Sequence, residues 1–235
     1  MMHRTGGSHL CRRKKIRRFC VTLSMLGLLI SQPSCNILGP VAMVGAMAGG
    51  VKTKAAYDGL KGQQTGVMVW VERGTRADFP TLRPNLAAIV QEKLKIAQQE
   101  ITPEELDGTT FPIKTDIIAQ YQDAHPEIEN EQIADVAARF KLDRLIYIEV
   151  TDFSTRAEAQ ELYRGSISAT VRVLEINSAG AKKVFQQDDL KTTFPKDAPK
   201  EGLPNATDSR ILQGTVEQFS DVVAKLFYKH DSEDN

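Results

Sequence analysis

The sequence predicts an α/β (α+β) sandwich, a mixed sheet of about four or five strands with helices packed against it. Three observations predict it. Residues 66–71 (GVMVWV) form an uncharged run without polar alternation, which suits a strand covered on both faces. Residues 162–176 (LYRGSISATVRVLEI) alternate apolar and polar side chains, as an antiparallel strand with one solvated face does. Amphipathic helical patterns precede and follow these strands.

The elements follow in order. After the strand at 66–71, residues 74–80 read as a loop. Leu86, Ile89, Val90, Leu94 and Ala97 then fall three or four apart, which makes 82–99 an amphipathic helix. Thr102 and Glu105 have capping-box spacing and open a short turn. Residues 116–122 (DIIAQYQ) read as a short helix stopped near His125-Pro126. Residues 131–140 read as another, with Ile133, Val136, Ala137 and Phe140 on one face. A turn at Leu142-Asp143 leads into a strand at 145–150 (LIYIEV). In the next strand Ile167, Ala169, Val171 and Val173 share one face, and Ser166, Ser168, Thr170 and Arg172 the other. A turn at 178–181 returns the chain as a strand over 183–194, completing a hairpin. A loop at 195–204 holds three prolines. The last helix spans about 209–228, with Ile211, Leu212, Val216, Phe219, Val222, Val223 and Phe227 on its stripe.

The first residues read as an address. Arg12, Arg13, Lys14, Lys15, Arg17 and Arg18 form a basic block, and 19–30 (FCVTLSMLGLLI) is uncharged and mostly apolar. A basic region, an apolar stretch of about 7–15 residues and a small residue at the cleavage point define a secretory signal. Cys35 sits just after that stretch, behind Ser34, where a lipoprotein signal carries the cysteine that is acylated (palmitate among the acyl groups) and becomes the first mature residue. Gln32 and Pro33 depart from the usual lipoprotein pattern. Three fates therefore stay open: lipidation of Cys35, plain cleavage, or an uncleaved anchor extended by the uncharged 37–51. The expected organisation is a signal peptide over 1–34, lipidated Cys35 with a Gly/Ala-rich tether to 63, one globular domain over 64–230, and a polar tail over 231–235. The tether reads as a flexible linker, or as a segment packing on a membrane or partner helix through Ala42, Ala46 and Gly50.

Charge and cysteine usage agree with export. The whole chain has 30 Lys/Arg and 30 Asp/Glu, but residues 1–35 hold seven basic and no acidic residues, leaving about −7 on the rest. An acidic body argues against nucleic-acid binding, which needs Lys and Arg to neutralise phosphates. Cys11 and Cys20 lie inside the leader, so Cys35 is the one cysteine left after processing, and no internal disulfide is expected.

Chemistry-bearing patterns are sparse. His125 and His230 have no ligand-spaced partner, so neither metal nor cofactor is expected. The sequence contains no G-x-S-x-G elbow, no S-x-x-K and no phosphate loop. Glu104-Glu105 and Asp188-Asp189 read as solvated pairs. Glu149 and Asp152, at the end of a strand, are candidates for a ligand crevice or for structural capping. With Arg164 they would define a pocket if the fold brings all three together. No catalytic residue is assigned. Tyr163 and Arg164 are the candidate partner contacts, since Tyr and Arg anchor interfaces, against a plainer role at a strand edge.

Asp143 to Glu149, then Tyr163-Arg164-Gly165 opening a strand that ends at Val173–Ile176, then Val184-Phe185, resemble one bacterial pattern. It is similar to small envelope lipoproteins whose domain is like the amino-terminal domain of the Tol-system propeller protein. Those include the lipoprotein activators of penicillin-binding proteins, the lipoprotein of Pel polysaccharide export and the curli secretion lipoprotein. The resemblance covers roughly 66–228. It implies a partner-binding or self-assembling domain without catalysis, anchored by lipid and facing the periplasm. Asn36, in place of an acidic retention residue, points to the outer membrane. The function expected is that of an accessory or adaptor in cell-wall synthesis or export. The alternatives are a homo-oligomeric subunit of a ring or coat, and a small-ligand binder or enzyme.

Overall fold

The uncharged run after Gln64 becomes the edge of a four-stranded sheet. A computed structural model describes residues 52–157, 162–197 and 199–232, all within the unit Gly49–Asn235. The leader, Cys35, residues 36–51 and the last three residues lie outside the described residues. In chain order the elements are β1 (Lys52–Thr53), β2 (Thr65–Val71), α1 (Arg73–Asp78), α2 (Leu82–Ile96), α3 (Thr115–Ala124), α4 (Ile133–Ala138), β3 (Arg144–Arg156), β4 (Tyr163–Asn177), β5 (Gly180–Phe194), α5 (Asp208–Ala224) and β6 (His230–Asp231). A π-helical turn, Ala97–Ile101, extends α2, and a 3-10 turn, Pro126–Asn130, joins α3 to α4.

The sheet order is β2-β3-β4-β5. β2 runs parallel to β3 from Thr65 opposite Arg144 to Val71 opposite Val150, and β3, β4 and β5 form an antiparallel meander. The sandwich expected from sequence is present, with helices on both faces of a mixed sheet. On one face Val67, Val69, Ile146, Ile148, Ile167, Val171 and Val173 meet α2 and α5, through Leu86, Val90, Leu94, Val216, Phe219 and Val223. On the other, Met68, Leu145, Tyr147 and Leu174 meet α3 and α4, through Ile118, Val136 and Ala137. β2 therefore lacks alternation because both its faces are covered. β4 alternates because α3 and α4 reach only Leu174 and Ile176, and its other second-face residues stay half-exposed.

Five local features differ from the sequence reading. Residues 73–78 are helical rather than looped, and none of them is buried, so no apolar stripe marked the helix. β3 runs on to Arg156 through bulges after Val150 and Ser154. α5 ends at Ala224, and Leu226 and Phe227 follow in a turn bonded to Val223 and Ala224. Residues 52–63, expected as the end of the tether, pack on the domain. Leu60 is fully buried, the Tyr57 ring lies 5.4 Å from Phe185, and Tyr57 N–H donates to Leu226 O. β1 pairs with β6, so Asp231 of the expected polar tail is also tied down.

Candidate functional site

β2 ends at Val71 while β3 continues, and the chain leaving β2 turns through α1 into the N-terminus of α2. A cleft lies on one face of the sheet beside the carboxyl end of β2. Its volume is about 140 Å³. Met68 and Trp70 of β2, with Tyr147 and Glu149 of β3, form the floor. Arg76 of α1, Arg83 of α2, Gln122 of α3, and Ile128, Glu129, Glu131 and Ile133 form the walls.

The charges around the cleft are mostly matched. Arg76 pairs with Glu129 at 2.7 Å, and Arg139 with Glu131 and Arg172 with Glu149 at close range. Gln122 donates to Val69 O at 3.0 Å, fixing α3 against β2. Burial, assisted by the charge of Glu149, pushes the Tyr147 phenol well above its ordinary value, so it is a neutral hydroxyl at physiological pH. Arg83 differs from the others. It is only 5% exposed, and Nη2 alone is engaged, with Asp123 Oδ1 at 2.6 Å and Ala119 O at 3.5 Å. Its Nε and Nη1 are buried and have no hydrogen-bond partner.

The residues singled out by sequence are distributed across the fold. Glu149 lines the cleft. Asp152 is exposed beyond the bulge in β3. Arg164 lies on β4 and donates from Nη1 to Pro199 O at 2.8 Å. The three do not meet in one pocket. The Tyr163 ring lies 3.8 Å beneath the Arg156 guanidinium, and its backbone exchanges two 2.9 Å hydrogen bonds with Leu203. Tyr163 and Arg164 thus hold the proline loop onto β4. His125 stacks on Tyr121 and contacts Glu127 at 2.9 Å, and His230 belongs to β6. Among the described residues no group of three His, Cys, Asp or Glu side chains is placed to hold a metal ion, and no helix is long and apolar enough to cross a membrane. Cys35 lies outside the described residues. The sequence reading passed over Arg83. The signal for it was an arginine one turn before Ala87 and two before Val90 and Gln91, in phase with the buried stripe of α2.

No family model matches the sequence, and no curated protein matches it. Among solved structures the chain is similar to a PelC dodecamer from Paraburkholderia phytofirmans, at 11% identity and a TM-score of 0.35, over 75% of this chain and 97% of that one. A variant PelC dodecamer from the same species gives 13% identity and 0.36, over 76% and 96%. Lipoprotein GNA1162 from Neisseria meningitidis gives 11% and 0.35, over 68% and 93%.

Proposed function

We propose that the chain is an exported lipoprotein, held to a membrane by an acyl group on Cys35, whose domain serves without catalysis as an accessory or adaptor in a cell-envelope complex. The observation that carries this reading is the sequence from Arg12 to Cys35: a basic block, an apolar stretch too short to span a bilayer, and one cysteine behind a small residue. Residues 36–51 separate Cys35 from β1, the first described element, and cap its reach from the membrane. At about 3.6 Å per extended residue that reach is no more than roughly 58 Å from the bilayer surface. Asn36 favours the outer membrane. The contact surface proposed is the half-exposed face of β4, from Ser166 to Thr170, together with Tyr163, Arg164 and the loop that follows β5.

Two measurements on the full chain test this. Mass spectrometry of the mature N-terminus should find an acylated Cys35, and a Cys35→Ser chain should leave the membrane fraction. Photocrosslinking from positions 163 and 200 in cells should recover one specific envelope protein. Recovery of none, with the chain at normal abundance, sinks the adaptor role. Recovery of the chain itself favours the alternative, a self-assembling envelope subunit.

A further inference from the structure

We propose that the cleft beside the carboxyl end of β2 binds a small carboxylate, with the Arg83 guanidinium as its anchor. A guanidinium carries five N–H donors and stays charged at every accessible pH. Burying such a group with donors unsatisfied is costly, and more so because it is charged. The Arg83 side chain is 6% exposed and lines the cleft, yet only Nη2 has partners, and the buried Nε and Nη1 have none. Asp123, its counter-ion, is 64% exposed and therefore screened by solvent, so it offsets the buried charge only in part. Arg76, Arg139 and Arg172 around the same cleft are each already matched to a carboxylate. Arg83 is the cation there with donors left to give.

The rim selects the anion. Glu129, Glu131 and Glu149 border the cleft and disfavour a doubly charged phosphate, whereas a carboxylate brings a single charge to the guanidinium. The volume of about 140 Å³ suits a molecule on the order of benzene in size, which limits the ligand to a few heavy atoms. Met68, Trp70, Ile128 and Ile133 supply an apolar wall for a short carbon body. A simple acid and an amino acid share this chemistry. They differ in the ammonium, which Glu131 and Glu149 would face.

The proposal goes beyond the accessory role and does not depend on Cys35. Its test uses the full chain in detergent, titrated with propionate, with alanine and with inorganic phosphate at matched ionic strength. Calorimetry and the Arg Nε–H resonances in a ¹⁵N-labelled sample are the readouts. Propionate or alanine should shift the Arg83 Nε–H resonance saturably, and phosphate should bind at least tenfold more weakly. Tighter binding of alanine than of propionate assigns an amino acid, and the reverse assigns a simple acid. Arg83→Met should abolish the response. Because that variant disturbs a buried ion pair, Ile133→Phe, which fills the cleft and leaves Arg83 in place, should abolish it independently. The proposal is overturned if neither carboxylate gives a saturable shift, if phosphate binds more tightly, or if the cleft-filled variant responds like the parent.

Discussion

Gly165 sits where β4 passes beneath α5, and the approach is too close for any side chain. A Cβ there would lie 1.7 Å from Thr215 Oγ1 and 3.0 Å from Ile211 Cγ2. Thr215 Oγ1 is itself committed to Ile211 O at 2.7 Å, so it cannot rotate away without losing a buried hydrogen bond. Gly165→Ala should therefore destabilise the chain by about 1–3 kcal/mol, the usual cost of overpacking. Adding Thr215→Ala should recover part of that loss in a double-mutant cycle measured by chemical denaturation. Strict additivity of the two changes would place the strain elsewhere. Asp208 makes a second prediction at this scale. The Thr155 hydroxyl, then the Arg156 guanidinium, hold its carboxyl below the ordinary aspartate value. A depressed folded value stabilises the chain above the unfolded value of about 3.9 and is lost as pH falls through the lower folded value. Asp208→Asn should thus lower the melting temperature at pH 7, and the gap should close as pH drops below about 3.9. A gap independent of pH would assign the effect to packing.

At the level of elements, legibility followed burial. β2, β3 and β4 were plain in the sequence because each places a run or an alternation against a helical layer, and α2 and α5 because each turns a full stripe inward. α1 was invisible because it buries nothing, and β1 and β6 because two-residue strands hold no period. The cleft was half legible. Glu149 was visible as a polar residue closing an apolar strand, but its partner Arg172 is brought opposite only by the β3–β4 register, two residues out of step with its facing pair, Thr170. Arg83 reads as one more helix cation until the fold buries it. α2 and α5 are joined at their exposed margin by Lys93, which reaches both Glu217 and Asp221 at 2.7 Å. Burial lowers the Lys93 pKa, but the two carboxylates raise it further, and the net shift is upward. Its contribution is therefore present below 10.5 and lost as pH rises through the raised folded value.

For the molecule as a whole, the decisive contact is the one that joins the start of the domain to its end. Leu60 enters the same core as Phe227 and Leu106, and Thr109 donates through Oγ1 to Leu60 O at 2.8 Å. Tyr57 packs edge-on to Phe227 at 6.3 Å, and β1 pairs with β6 beyond it. Tyr57 and Leu60, near the start of the described residues, are thus core residues rather than linker. Leu60→Ala should cost about 2–5 kcal/mol, as for a fully buried leucine whose surroundings collapse only in part. The same substitution at Ile117, which is 53% exposed, should stay within about 0.5 kcal/mol. The comparison is to be made in the full chain by urea denaturation. If 52–63 were a free linker, the two substitutions would be equally mild. If the segment closes the core, Leu60→Ala should also expose the amides of Tyr57 and Thr65 to hydrogen exchange, because their carbonyl partners, Leu226 and Thr110, lie across the contact it seals.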